Sequence, residues 1–89
     1  MIRRKLTITN KLGLHARAAT KLAAVAGRYE SDIRTGTESP LIDAKSIMPL
    51  MLLAASKDTT LIFEFNGRDE QTACKAITQL LADHFGEEQ

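Results

Sequence analysis

The 89-residue sequence predicts an α+β domain of two layers, one antiparallel sheet with helices on one face. Three observations predict it. Four short stretches read as strands, two of them with clear period-two spacing. Three longer or more apolar stretches read as helices, giving the order β-α-β-β-α-β-α. The length allows one domain, 1–89, and a chain this short buries only about 60–65% of its unfolded surface, enough for a single layer of helices on a single sheet.

Residues 2–9 (IRRKLTIT) set Ile2, Leu6 and Ile8 at even spacings with polar residues between, the pattern of a half-buried strand. Asn10 and Gly13 break the pattern across 10–15. Residues 16–27 are Ala-rich and helical. Ala18, Leu22, Val25 and Ala26 form a buried stripe, Arg17, Lys21, Ala24 and Arg28 an exposed and mostly basic one, and Gly27 is the stop. Residues 32–37 and 41–44 are short strands joined by the turn Thr37-Glu38-Ser39-Pro40.

Residues 47–55 (IMPLMLLAA) are too apolar for periodicity to decide. They are read as a short helix with Ser46 as N-cap and Pro49 in the first turn, where a missing N–H costs nothing. With Pro at 49, the Ser46 hydroxyl can cap only the N–H of Met48, a contribution of about 1 kcal/mol. Residues 59–66 alternate with Leu61, Phe63 and Phe65 inward. Residues 69–85 form the longest helix, with Ala73, Ile77, Leu80, Leu81, His84 and Phe85 on its apolar face, Asp69 and Glu70 at its N-terminal dipole and Gly86 at its end. Residues 87–89 are a polar tail.

Composition excludes several classes. Cys74 is the only cysteine, which removes a disulfide framework and a Cys-based zinc site and leaves it as a small helical filler. His15 and His84 lack metal-ligand spacing, and no metal or cofactor is expected. No apolar run is long enough to span a membrane, and the basic start at Arg3-Arg4-Lys5 is followed by no apolar core of a secretory signal, so a cytoplasmic protein without membrane insertion is expected. The chain is also too short to enclose a sizeable active site.

Net charge is only +1, against a nucleic-acid binder. Its distribution is uneven: residues 1–34 carry eight basic and two acidic side chains, and the remainder is net acidic. Such a map fits either a basic face for an acidic or phosphorylated partner or a chance imbalance on a solvated surface. Nucleic-acid binding is the rival reading of the basic third, but that stretch has no recognised motif and no aromatic platform apart from Tyr29.

Chemistry concentrates in Asn10-Lys11-Leu12-Gly13-Leu14-His15-Ala16-Arg17. A Gly-containing loop delivers His15 to a helix start, where unpaired N–H groups and about half a unit of positive charge make an anion site. The same field disfavours the imidazolium, as a nucleophile requires. Arg17 adds a fork of donors for phosphate oxygens, with Lys11 and Lys21 as further charge. The set fits a histidine that attacks a phosphoryl group and holds it. The plain alternative is a helix-capping His15 beside a solvated Arg17. A Ser46/His15/Asp43 triad has no oxyanion hole or substrate pocket to go with it, and His84 reads as a core-edge residue.

The stretch NKLGLHARAA at 10–19, with DAKSIM at 43–48 and NGRDE at 66–70, resembles the HPr family of histidine-containing phosphocarriers of the bacterial phosphoenolpyruvate-dependent phosphotransferase system. The resemblance covers essentially the whole chain. It implies an open-faced β-sandwich, with a four-stranded antiparallel sheet and three helices on one side. It also implies that His15 is phosphorylated at Nδ1, that Arg17 and the Ala16–Ala18 backbone steady the phosphate, and that Ser46 matches a site modified by an HPr kinase in some bacteria. Many members have Pro where this chain has Ala18, which here retains one more N–H. Ala18 with MPLMLLAA at 48–55 resembles the nitrogen-related form, NPr, more than the sugar-transport form.

The implied protein is a monomeric carrier and not a turnover enzyme. Its donor is Enzyme I and its acceptors are enzyme IIA proteins. Leu50 and Leu53 are expected to serve the core, leaving Ile47, Met48 and Met51 as an outward patch, unless the helix is wholly buried or partly extended. With Thr20, Lys21, Ala24 and Lys45 around it, this patch is the expected partner surface, suited to a transient interface of about 1,200 Å² or less. A phosphate on Ser46 would add about −1.5 to −2 charges beside it. The rival within this surface is a regulatory module that docks through 47–51 without phosphotransfer.

Overall fold

The computed structural model describes residues 1–87; of the polar tail read at 87–89, residues 88 and 89 lie outside the described residues, and Glu87 is anchored rather than free. Seven main elements follow the expected order: β1 (Ile2–Thr7), α1 (Ala16–Ala26), β2 (Asp32–Gly36), β3 (Ile42–Asp43), α2 (Ile47–Leu52), β4 (Thr60–Asn66) and α3 (Glu70–Ala82). The sheet is antiparallel throughout, in the spatial order β1-β4-β2-β3.

Register places the period-two residues on one face. Leu6 pairs with Leu61, Arg4 with Phe63 and Ile2 with Phe65. Across the other edge of β4, Phe65 pairs with Ile33 and Phe63 with Thr35. Leu61, Phe63, Phe65 and Ile33 are fully buried against Leu22, Leu50, Ile77 and Leu81 from the three helices. The rings of Phe63 and Phe65 stack with centroids 6.0 Å apart. The opposite face carries Arg3, Glu64, Asp32 and Arg34, with ion pairs Arg3–Glu64 and Arg34–Asp32, and among the described residues no helix covers it. This is the open-faced β-sandwich that the resemblance implied.

Every element is shorter than the sequence reading made it, β4 by one residue at its start. The strand read at 2–9 ends at Thr7, because Ile8 exchanges backbone hydrogen bonds with Asp58 and Thr59 outside the ladder. The strand read at 32–37 ends at Gly36, and that at 41–44 shrinks to Ile42–Asp43. The helix read at 16–27 ends at Ala26, with Gly27 as its C-cap. The helix read at 47–55 ends at Leu52. The N–H groups of Leu53 and Ala54 turn to the carbonyls three residues back, Ala54 takes a left-handed φ of 51°, and the Ala55 carbonyl is left to accept from Leu14.

The largest difference is at the C-terminus. The helix read at 69–85 stops at Ala82. His84 and Phe85 adopt left-handed φ values of 55° and 56° and open a single 3-10 turn, His84–Gly86. Two side-chain anchors account for the break. Phe85 is buried in the core, and its carbonyl oxygen accepts a hydrogen bond from the Lys21 ammonium of α1 at 2.7 Å. Neither His84 nor Phe85 therefore lies on the helix face. The turn folds the chain back toward the N-terminus of α1.

Candidate functional site

His15 is the N-cap residue of α1, with extended backbone (φ −78°, ψ −179°). Its carbonyl accepts the first helical bond, from Ala19 at 2.8 Å. Helix geometry leaves the N–H groups of Ala16, Arg17 and Ala18 without an intrahelical acceptor, and no side chain caps them. Three N–H groups and the positive end of the helix thus converge beside the imidazole.

The loop that brings His15 there is fixed by Gly13 and Asn10. Gly13 sits at φ +68°, and a Cβ on it would lie 2.5 Å from the Ala55 carbonyl oxygen. Leu14 donates to that same oxygen at 2.8 Å. Asn10 is fully buried, and its Nδ2 donates to the Gly13 carbonyl at 2.8 Å and to Glu87 Oε1 at 3.1 Å. Both partners are acceptors, so the amide has one workable orientation. The other carboxylate oxygen, Glu87 Oε2, lies 2.5 Å from His15 Nε2.

Burial works against the Glu87 carboxylate, pushing its pKa up. Hydrogen bonds from His15 and Asn10, with the nearby charge of Arg17, outweigh burial and hold the group below the ordinary glutamate range. The sequence reading counted only the positive helix field at His15. The negative charge of Glu87 stands opposite it.

Arg17 is exposed and makes no side-chain hydrogen bond or ion pair among the described residues, so its guanidinium is free to meet an anion. The structure brings His15 and Arg17 together, with the Ala16 and Ala18 N–H groups beside them. Lys21 is half-buried, with its ammonium engaged by Phe85, which corrects its place in the exposed stripe. Thr20 is exposed and donates to the Ala16 carbonyl, and Ala24 is exposed farther along α1.

Ser46 and Lys45 are elsewhere. Lys45 Nζ donates to the Tyr29 carbonyl at 2.8 Å, just past the C-terminal end of α1. The chain following α2 meets Gly13 and Leu14 at the N-terminal end. The two helices therefore run in opposite directions, and Ser46 lies roughly one length of α1, about 16 Å, from His15. The expected Ser46 side-chain cap is absent. Its hydroxyl faces Asp43 Oδ2 at 3.4 Å, while its carbonyl accepts from Leu50. The separation also dismisses the Ser46/His15/Asp43 triad.

Leu50 of α2 is buried, and Leu53, just past its end, packs against the core, as expected. Ile47, Met48 and Met51 face solvent, with Met48 at 68% exposure. Exposed apolar side chains extend beyond those three. Leu52 is 80% exposed and Leu12, in the loop before His15, 67%. His84 Nδ1 bonds Thr9 Oγ1 at 2.9 Å, a structural tie at the core edge. Among the described residues no three potential metal-ligating side chains cluster, no enclosed pocket forms, and no helix is long and apolar enough to cross a membrane.

Sequence reasoning missed Glu87, Asn10, Leu12 and Leu52. Asn10 was visible only as a loop former, and Glu87 lies 72 positions from its imidazole partner.

An imidazole at the N-terminus of α1, an exposed arginine two residues on and exposed apolar side chains on α2 give a surface open to a macromolecular partner. Comparison with known proteins gives the family. Residues 2–83 match the family described as "PTS HPr component phosphorylation site". The chain is 47% identical over 87 residues to phosphocarrier protein HPr of Cupriavidus necator, covering 98% of each. It is 37% identical over 86 residues to phosphocarrier protein NPr of Shewanella violacea, covering 97% of this chain and 94% of that one. A solved structure of HPr-C-His from Thermoanaerobacter tengcongensis superimposes with a TM-score of 0.94 at 36% identity, covering all of both chains. The chain belongs to the HPr family of phosphocarrier proteins of the phosphotransferase system, and it is a carrier rather than a turnover enzyme. The family implies Enzyme I and enzyme IIA proteins as its partners.

Proposed function

We propose that His15 is the residue that carries the phosphoryl group. Its Nδ1 lone pair attacks the phosphorus of phospho-Enzyme I. The N–P bond in the donor breaks with its electron pair left on the donor imidazole, and the reverse exchange delivers the group to a histidine of an enzyme IIA protein. Arg17 and the N–H groups of Ala16, Arg17 and Ala18 receive the phosphate oxygens. The observation that carries this reading is the His15 imidazole at an uncapped helix N-terminus beside a free Arg17. Leu12, Ile47, Met48, Met51 and Leu52 form the docking patch, rimmed by Arg17, Thr20 and Ala24. A monomer that stays in the cytoplasm suits this role.

Labelled phosphoenolpyruvate with Enzyme I tests the reading. Wild type should acquire one acid-labile phosphate and His15→Ala none; label on His15→Ala would overturn it. Loss of a partner response with Met48→Glu but not with His15→Ala would instead favour docking without transfer.

The nitrogen-related branch is our reading of the finer role, supported by Ala18 and the 48–55 segment. The sugar-transport branch is favoured by the HPr name of the 47%-identical relative. Transfer rates to the enzyme IIA proteins of both branches, measured side by side, separate them. Ser46 is the proposed regulatory position. Its phosphate would act on docking at the far end of the patch and not on His15 directly, and incubation with an HPr kinase tests it.

A further inference from the structure

The carboxylate–imidazole pair assigns a role to a residue outside the His-Ala-Arg motif. We propose that Glu87 is a positioning residue for His15. It holds the ring as the Nε2–H tautomer and thereby leaves the Nδ1 lone pair for the phosphoryl group. This rests on the carrier reading above.

The argument is one of donors and acceptors. An ionised carboxylate only accepts, so the atom of His15 facing Oε2 at 2.5 Å must carry a hydrogen. A neutral imidazole has one N–H, so placing it on Nε2 leaves Nδ1 as the lone pair. Nδ1 makes no hydrogen bond among the described residues. Transfer then moves no proton on or off the ring. A bond forms at Nδ1, a bond breaks in the donor, and Nε2–H keeps its partner throughout. The carboxylate also faces any positive charge the ring acquires once Nδ1 is bonded to phosphorus.

Glu87 is itself oriented. The Gly13 carbonyl can only accept, which turns Asn10 Nδ2 toward both Gly13 and Glu87 Oε1. Gly13, Asn10, Glu87 and His15 therefore form one chain of hydrogen bonds in which every donor direction is set. The backbone of Glu87 is held independently, through its N–H to the His84 carbonyl and through buried Phe85. Side-chain changes at 87 leave that anchor in place.

The chain makes an unusual prediction for the isosteric change. In Glu87→Gln, Asn10 still demands an acceptor, so the glutamine oxygen takes the Oε1 position and its NH2 faces His15 Nε2. Nε2 must then accept, the ring proton moves to Nδ1, and the nucleophilic lone pair is lost. In Glu87→Ala the ring loses its partner and samples both tautomers. Glutamine should therefore harm transfer more than alanine, by about tenfold against wild type for Gln and by a smaller factor for Ala.

The experiment records the nitrogen-15 signals of the His15 ring in the three unphosphorylated proteins above neutral pH, and the rate of labelling from phospho-Enzyme I. The expected result is a pyrrole-type Nε2 in wild type, a mixture in Glu87→Ala and a pyrrole-type Nδ1 in Glu87→Gln, with rates in the order wild type, Ala, Gln. Ring signals that do not change in either variant overturn the proposal, as does Gln transferring at the wild-type rate. If the ring signals follow Glu87 as described but wild type takes no label, the tautomer assignment stands and the carrier reading falls.

Discussion

The Lys21 ammonium donates to the Phe85 carbonyl oxygen at 2.7 Å, joining the second turn of α1 to a residue 64 positions on. That bond holds down a turn whose φ values are left-handed at two non-glycine residues, an arrangement that costs energy unless other contacts fix it. Lys21→Met keeps the aliphatic stem and removes the donor. It should lower stability by about 1 kcal/mol, read as a shift of the urea midpoint with unchanged slope. Amide exchange should quicken at Gly86 and Glu87, whose N–H groups bond Asp83 and His84.

Arg17 is exposed and spends no hydrogen bond on the rest of the protein among the described residues. Arg17→Ala should therefore change stability by less than about 0.5 kcal/mol. Phosphoryl transfer should slow by about tenfold or more, because the charged fork proposed to receive the phosphate oxygens is gone. Arg17→Lys should restore little, since a point charge does not replace the fork. Rapid-quench labelling from phospho-Enzyme I measures both variants, and a wild-type rate for Arg17→Ala would remove Arg17 from the site.

What the sequence made legible here was local. Period-two spacing found Leu61, Phe63 and Phe65, and a Gly-containing loop before an Ala-rich helix pointed to His15 and Arg17, because each signal lies within a short stretch of chain. The C-terminal turn looks locally like three more residues of helix because Phe85 is apolar at the right spacing. Its backbone is bent by contacts with Lys21 and the core, which no local pattern encodes. Glu87 is a charged residue near a terminus, and its meaning comes only from Asn10 and His15 beside it in space. Ser46 was misread for the opposite reason. It has the composition of a cap, and Asp43 nearby takes its hydroxyl instead.

That correction predicts a small effect at Ser46. With no side-chain bond to the α2 backbone, Ser46→Ala should cost less than about 0.5 kcal/mol, below the ordinary loss for a capping serine. Thermal unfolding measures it. A loss of about 1 kcal/mol or more would show that the hydroxyl caps α2 in solution.

Gly13→Ala should be far more costly. The backbone is left-handed there, and the new Cβ would meet the Ala55 carbonyl oxygen at 2.5 Å and Ser56 Cα at 2.8 Å. Both are backbone atoms that cannot step aside as a flexible side chain could. Strain of this kind costs about 1–3 kcal/mol before the clash is counted. Because Leu14 and His15 follow directly, transfer should fall together with the unfolding midpoint. A variant of wild-type stability would refute the left-handed loop.

Asp69 contributes to the acid limb of stability. Its Oδ1 accepts from the Ser31 hydroxyl at 2.5 Å and the Ser31 N–H at 3.0 Å, and its Oδ2 accepts from the Glu30 N–H at 3.0 Å. These bonds tie the entry of β2 to the start of α3. The Ser31 hydroxyl, then the Glu30 N–H, hold the carboxyl below its ordinary value of 3.8. A group whose pKa is lower in the folded state stabilises fully above its unfolded value, and that contribution is lost as pH falls through the folded one. Wild type should therefore exceed Asp69→Asn in stability near neutral pH, and the difference should narrow once pH is taken below 3.8. Glu70 and Glu87 also titrate low, but they are common to both proteins, so their contribution drops out of the difference. Urea midpoints of the pair from neutral to strongly acid pH test this, and a gap that stays constant below 3.8 would show that these hydrogen bonds do not favour the ionised form.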